Sequence, residues 1–365
     1  MKIAFTTDYS FPSKCGVWNV VYQTAKQLIK RGHEVHIFSS NTIKGTNQKS
    51  SLFEVHEKIT YHRFPVLGKI GENGQIWNFK KALINVQPDI IHAHAYRHFH
   101  ANLVPKIAKN LNIPCYLTTH APFPGKNIRT SKTQKLVDLF DKYIGKKLLN
   151  SYSKVFAISQ WEIPLLKSIG CEESNIVFLP NGYPQELFDL KTSFKKKAVY
   201  LGRISAVKSL ETFLAAAKEL PDWSFTIHGS KEGSYELTEC PKNVTITVKP
   251  FDLKEEKKIL EKNAVFILPS VTEAVPLALL EAMAAGLVCI SSKTRGGMEL
   301  LTEGKTGLLF PIGNSDALVR AIDKVNATKW KSITSAAKKS VKDRSWEDLV
   351  EKVERNYIKD LILIR

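Results

Sequence analysis

Two carboxylates, two cations and a string of histidines are the residues of this chain whose types and spacing could do chemistry. Glu273 and Glu281 lie eight residues apart in FILPSVTEAVPLALLEAMAAG, residues 266–286. The apolar run ending in Pro269-Ser270 reads as a buried strand, the polar stretch holding Glu273 as a turn, and the small-residue run to Gly286 as a helix. A strand that empties into a loop with a helix close behind is where open α/β sheets bind ligands. Carboxylates at the loop and about two turns down the helix could meet a ligand's sugar hydroxyls at two places. The same spacing equally fits a capping glutamate followed by an ordinary surface glutamate.

Arg203 follows Gly202 at the end of the apolar run Ala198–Leu201, and Lys208 stands just before a helix expected to begin at Ser209. The glycine lets a ligand approach the backbone, and two cations beside a helix N-terminus suit a diphosphate. Positive charge there would stabilise a departing nucleoside diphosphate. Without further context, two solvated basic residues in a loop is the simpler reading. His92, His94, His98 and His100 come where PDIIHAH delivers histidines from a strand into a loop, and imidazoles at such spacing can converge on a metal. No acidic or cysteine partner lies nearby in the sequence, so no metal site is expected. His120 stands beyond the end of a strand over 114–119, exposed and ahead of Ala121-Pro122. That place favours a ligand contact, although a lone histidine is most often structural.

The elements that must position these residues alternate along the chain. Strands are expected at 2–7, 34–39, 59–65, 90–94, 114–119, 154–158 and in NIVFLP, with helices at 17–30, 76–83, 101–110 and 133–150 and another capped by Ser159 and ending near Gly170. The 133–150 helix is expected to turn Leu136, Leu139, Phe140, Ile144 and Leu148 inward. Cys15-Gly16 opens the 17–30 helix, where free amides favour an anion or a sugar hydroxyl, but it is not a G-x-G-x-x-G fingerprint. After a turn at Asn181-Gly182 and a charged linker at 186–196, a second series places strands at 198–201, 223–228, 244–248, 264–268 and 288–291. Helices are expected from Ser209, at 254–261 and at 316–325. Gly229 closes the 223–228 strand, and Phe251 follows the 244–248 strand, where an aromatic is as often core. Arg295-Gly296-Gly297 reads as a turn and Gly304–Phe310 as hairpin-like. The period of Trp346, Leu349, Val350, Val353 and Tyr357 gives a final amphipathic helix.

At 365 residues the chain can form two domains. Its 43% hydrophobic and 24% charged residues are ordinary for a soluble enzyme. No run of 18 apolar residues appears, and MKIAFTTDY enters a strand without a signal-peptide pattern. Cys15, Cys115, Cys171, Cys240 and Cys289 are scattered without a CxxC pair, which points to a reducing cytosol. A formal charge of +18 allows nucleic acid, an anionic membrane or a phosphorylated small molecule as partner. Nucleic acid is set aside, because the basic residues are dispersed and form no recognised module. They are enriched over 126–154 (Lys126, Arg129, Lys132, Lys135, Lys142, Lys146, Lys147, Lys154) and at Lys195-Lys196-Lys197.

Glu273-x7-Glu281, with Pro269-Ser270 before it and EAMAAG after it, resembles the signature of the retaining glycosyltransferases of family 4, also called group 1. The likeness extends to Gly202-Arg203 with Lys208 five residues on, to Ser159, to Pro180-Asn181-Gly182 and to Gly304-x-x-Gly307. Cys15-Gly16, Ala121 and Leu287 stand where relatives often have a glycine pair, an aspartate and a proline. The resemblance implies a GT-B fold, two Rossmann-like α/β domains facing across a cleft: residues 1–185 for the acceptor, completed by a returning helix at 345–365, and 186–344 for the nucleotide sugar. It implies that Arg203 and Lys208 hold the diphosphate and that Glu281 binds the ribose. Glu273 would orient the donor sugar with the backbone of Ala274, Val275, Pro276 and Leu277, while His120 would touch the sugar near the reacting carbon. Gly16, Gly202, Gly229 and Phe251 would line the nucleotide-sugar site, and Arg97 and His98 would face the acceptor.

The expected reaction moves a hexose or N-acetylhexosamine from a UDP- or GDP-linked donor to a lipid-linked, glycan or small-molecule acceptor. No metal and no further cofactor is expected. The expected place is the cytoplasm, with peripheral contact to an anionic membrane. Three rivals stand beside this reading: a nucleotide-sugar epimerase, a nucleotide-sugar-binding protein that has lost catalysis, and a metal-binding protein using His92–His100.

Overall fold

The computed structural model describes residues 1–70, 74–123, 130–233, 235–237 and 239–364. Two compact units account for them: Met1–Asn181 with Trp346–Arg365, and Gly182–Ser345.

In the first unit eight strands make one sheet, in spatial order Ile176–Phe178, Lys154–Ala157, Cys115–Thr118, Ile90–His94, Lys2–Thr6, Glu34–Ser40, Ile59–Phe64 and Phe53–His56. Every neighbouring pair is parallel except the last. The central strands are apolar along their length because helices cover both faces, as a parallel sheet requires. Lys2–Thr6 is flanked by Glu34–Ser40 on one side and Ile90–His94 on the other, so the winding reverses direction there. The helix Gly16–Lys30 buries Val21, Ala25 and Leu28 against one face, together with Val350, Val353 and Tyr357 from the helix Trp346–Ile364.

The second unit carries six parallel strands in the order Val244–Val248, Ser224–Gly229, Lys197–Leu201, Val265–Leu268, Val288–Ser292 and Leu308–Phe310. Its winding reverses between Lys197–Leu201 and Val265–Leu268. The helix Leu277–Ala285 lies deep in the core, with Leu279, Leu280, Ala282, Met283, Ala284 and Ala285 fully buried, and ends at Gly286 in the left-handed conformation. Its alanines allow close approach, and a glycine at that cap carries no Cβ penalty.

Several local expectations change. Residues 74–76 form a short strand with Gly68–Ile70, and the helix starts only at Lys80. The expected 186–196 linker contains a helical turn, Gln185–Phe188, that sends Leu187 and Leu190 into the core. Arg295–Leu300 is a helix rather than a turn, capped by the Thr294 hydroxyl on the Gly297 N–H. Residues 308–310 form a parallel edge strand rather than one arm of a hairpin.

The largest change concerns 133–150. Here a helix Ser131–Phe140 runs into a π-helical turn, Asp141–Gly145, and then Lys146–Leu149. Leu148 is buried as expected, but Leu136, Leu139 and Ile144 are 69%, 51% and 49% exposed. The helix Ser131–Phe140 has no buried residue at all. Its apolar stripe has the right period, and Phe140 packs half-buried on the core beside Tyr96, but no described residue of the unit buries Leu136, Leu139 or Ile144.

Candidate functional site

Both sets of chemically interesting residues stand at the C-terminal ends of strands where the winding reverses, the usual ligand position in such sheets. In the second unit, Lys197–Leu201 delivers Gly202 and Arg203, and Val265–Leu268 delivers Ser270 and Glu273. The two loops are tied by the Val271 N–H donating to the Val207 carbonyl at 2.9 Å. Lys208 Nζ then donates to Glu273 Oε1 at 2.5 Å, and Ser270 Oγ donates to the same oxygen at 2.6 Å. Ser292 Oγ fixes Ser270 in turn by donating to its carbonyl at 2.5 Å. Lys208 and Glu273 keep only 16% and 10% of their side chains exposed, so this pair is far less screened than a surface ion pair.

Arg203 behaves differently. It pairs with Glu232 at 2.5 Å, both side chains 45% exposed, while its carbonyl accepts from Tyr200 OH at 2.6 Å. The two cations that the sequence groups together therefore have separate carboxylate partners.

Glycine is obligatory beside them. A Cβ on Gly229 would lie 1.6 Å from the Gly202 carbonyl oxygen, and Gly202 itself has φ +152°. This crossing of two strand ends tolerates no side chain. The Gly296 N–H donates to the Glu273 carbonyl at 3.0 Å, and a Cβ on Gly296 would stand 2.6 Å from the Ala274 carbonyl. Ala274 is exposed and Val275 half-buried, while Pro276 is the N-cap of the helix whose first residue is Leu277. Phe251 packs half-buried against the second unit's core.

Glu281 sits one turn into that helix, not two, because the helix begins at Leu277. It meets Glu256 of the helix Leu253–Glu261 in a carboxyl–carboxyl hydrogen bond. Burial pushes the Glu281 carboxyl up to about 7, with the Glu256 bond pulling the other way. Burial, and then the Glu281 charge, hold Glu256 well above the usual carboxyl range. Two carboxyls this close share a proton near neutral pH. Glu256 and Ser270 were not singled out from the sequence as site residues.

In the first unit the four clustered histidines separate into two groups. His92 and His94 point into the interior: His92 bonds Tyr357 OH at 2.6 Å and Thr118 Oγ1 at 2.8 Å, and His94 Nδ1 meets His120 Nε2 at 2.9 Å. Burial brings His92 down to about 3. His120 is half-buried rather than exposed, and burial followed by the charge of His98 takes it down to about 3. At neutral pH it is an uncharged imidazole, unable to act as a cation toward a sugar. It adopts φ +60°, uncommon for a side-chain-bearing residue.

Buried Glu162 holds that conformation. It accepts from Thr119 Oγ1 at 2.7 Å and from the Ser159 N–H at 3.0 Å in a capping box, and also from the Ala121 N–H.

His98 and His100 instead surround Asp8, which follows the strand Lys2–Thr6. His98 Nδ1 bonds Asp8 Oδ2, and His100 Nε2 lies 3.6 Å from Asp8 Oδ1. Burial raises the Asp8 carboxyl, but the His98 bond and the charges of His100 and His98 outweigh it, and the net shift is downward. Asp8 is the acidic partner that the neighbouring sequence lacked. Adjacent parallel strands bring it in from ninety residues away.

Arg97 is already engaged, with Nε at 2.9 Å and Nη2 at 2.5 Å from the two oxygens of Asp141 and with the Pro122 carbonyl at 2.8 Å. Gly16 is the first residue of its helix, and a Cβ there would meet nothing within 4 Å. Residues 124–129, which hold Lys126 and Arg129 of the basic stretch, lie outside the described residues.

Known proteins resemble this chain in sequence and in fold. Residues 188–343 match the family described as Glycosyl transferases group 1, and residues 15–187 match Glycosyltransferase Family 4. The chain is 26% identical over 280 residues to the Escherichia coli UDP-Gal:alpha-D-GlcNAc-diphosphoundecaprenol alpha-1,3-galactosyltransferase, covering 70% of each. It is 22% identical over 379 residues to the gpi3 subunit of the Schizosaccharomyces pombe phosphatidylinositol N-acetylglucosaminyltransferase, covering 96% of this chain and 79% of that protein. Among solved structures, Anabaena Alr3699/HepE in complex with UDP and glucose superposes with a TM-score of 0.72 at 16% identity, covering 98% of this chain and all of that one. Two Rossmann-like units, each reversing its winding at the residues just described, and two family matches running from residue 15 to residue 343 place the chain among the GT-B glycosyltransferases of group 1, family 4.

Proposed function

We propose that this glycosyltransferase retains anomeric configuration and takes a hexose or N-acetylhexosamine from a UDP- or GDP-linked donor to a lipid-linked acceptor. The observation that carries the donor half is the Lys208–Glu273–Ser270 knot beside the Gly202–Gly229 crossing. A nucleotide sugar laid over these glycines would set its diphosphate against Lys208 and the amides opening the helix Leu277–Ala285. Lys208 has three N–H donors, so it can hold Glu273 and a phosphate oxygen together. Arg203 would exchange Glu232 for the diphosphate, Glu281 would accept from the ribose hydroxyls, and Glu273 would orient the sugar. The diphosphate is held by these cations and amides without a divalent ion. In the first unit, neutral His120 would bond the sugar near the reacting carbon, its loop held in place by Glu162.

The acceptor half draws on the exposed helix Ser131–Phe140 and the turn after it. Leu136, Leu139, Tyr143 and Ile144 are exposed among Lys132, Lys135, Lys142, Lys146 and Lys147. Apolar side chains flanked by lysines suit the surface of an anionic membrane. No helix among the described residues is long and apolar enough to cross a membrane, so the proposed contact is peripheral. Two of the relatives act, by name, on lipid-linked substrates.

Thermal shift against UDP-, GDP- and ADP-sugars, with and without a chelator, tests the donor reading. A rise in Tm with one nucleotide class, unchanged by chelator and lost in Lys208→Ala and Glu281→Ala, is expected. Folded protein that shifts with no nucleotide sugar would sink the reading.

A further inference from the structure

We propose that Asp8, His98 and His100 form a binding site for a divalent transition-metal ion in the first unit. One ligand atom from each of the three lies within 4.8 Å of the others. His98 is the N-cap of the helix Phe99–Leu111 and His100 lies in its first turn, while Asp8 comes from the end of the neighbouring strand. The set is enclosed: His100 is fully buried, Asp8 is 5% exposed, and only His98, at 26%, reaches solvent.

The ordinary reading is a buried aspartate that caps a helix and pairs with a histidine. It accounts for Asp8 Oδ2 and His98 Nδ1. It does not account for Asp8 Oδ1 or His100 Nε2, two buried polar atoms that have no hydrogen-bond partner and face each other at 3.6 Å. The Trp77 indole N–H comes near enough to favour the carboxylate, but outside hydrogen-bond geometry. His100 Nδ1 is taken by Thr6 Oγ1 at 3.0 Å. When the imidazole donates its one proton to Thr6, the Nε2 lone pair points at the carboxylate, and a cation between them satisfies both. The Thr6 bond is also the kind of outer partner that fixes a metal-bound imidazole in one tautomer. The helix N-terminus disfavours a cation modestly, and two imidazoles with a carboxylate outweigh that.

Two nitrogens and one oxygen suit Zn²⁺, Co²⁺, Fe²⁺ or Mn²⁺ better than Ca²⁺ or Mg²⁺, which prefer oxygen alone. Three protein ligands leave a coordination position for water or for an oxygen of the acceptor.

The test uses tag-free full-length protein, stripped with chelator, desalted and titrated with Co²⁺ alone. The expected result is one equivalent bound, with visible ligand-field absorption, displaced by Zn²⁺. Asp8→Asn and His98→Ala should each weaken binding by at least about 100-fold, beyond the roughly 10–100-fold typical of losing an outer partner. His98 reaches solvent, so its variant is expected to fold, as near-UV circular dichroism would verify. Folded wild type that binds no Co²⁺, or equal binding by both variants, would overturn the site. The readout involves no donor, so it stands or falls apart from the transferase reading.

Discussion

At the scale of single residues, charge and hydrogen bonding in the second unit give sharp expectations. Lys208 and Ser270 both donate to one oxygen of Glu273, so the loop geometry and the proposed phosphate contact depend on the same ammonium group. Hydrogen bonds to charged groups contribute about 1.5–3 kcal/mol, so Lys208→Ala should weaken nucleotide-sugar binding by roughly 10- to 100-fold by calorimetry. Glu281→Ala should cost a similar amount. Arg203→Ala should cost less in the free protein's stability, because its ion pair with Glu232 is half exposed. The Glu256–Glu281 pair gives a pH dependence. A carboxyl with a higher pKa folded than unfolded binds more protons in the native state. Its favourable contribution is therefore lost as pH rises from the ordinary 4.5 to about 7. Glu256→Gln keeps a donor for Glu281 without the second titrating group. Tm measured from about pH 5 to about pH 8 should fall more in the wild type than in the variant. Parallel curves would mean that the pair does not share a proton.

At the scale of elements, periodicity located most helices and strands, and position in the winding marked the strand ends that hold the candidate site. Glu273, Glu281, Lys208 and Gly202 were legible because each lies within a few residues of a strand-to-helix turn. Asp8 and Glu256 were not: each meets its partner only through contacts between elements far apart in the chain, and nothing in its local pattern marks it. The helix Ser131–Phe140 failed for the opposite reason. Its stripe is correctly periodic, but a period shows that a face is apolar and not what covers it. That failure leads to a prediction. Leu136 and Leu139 contribute little burial, so Leu136→Glu/Leu139→Glu should leave Tm essentially unchanged. The same variant should lose co-flotation with vesicles containing anionic lipid, whereas the wild type should bind them and ignore purely zwitterionic ones. Equal flotation of variant and wild type would remove this helix from the acceptor reading.

At the scale of the whole molecule, the chain builds its first unit from both ends. Trp346–Ile364 returns to it after the entire second unit has been completed, and its contacts are specific rather than greasy alone. Gln27 Nε2 donates to Glu347 at 2.7 Å, and Arg31 and His33 pair with Glu354 at 3.0 and 2.5 Å. Asp360 accepts from Tyr116 OH at 2.7 Å. Those acidic residues are thus committed to the first unit. Inside, Tyr357 OH meets His92 Nδ1 at 2.6 Å, and His92 precedes the strand end from which the proposed metal ligands follow. Tyr357→Phe leaves that buried nitrogen unpaired, which should cost about 1–3 kcal/mol. Tyr357→Ala adds a cavity and should cost about 3–5 kcal/mol. Denaturant unfolding followed by hydrogen exchange would locate the loss: protection should fall over 1–181 and 346–364 and persist over 182–345. A uniform loss across both segments would mean that the two units unfold as one, and that the closing helix stabilises more than the unit it joins.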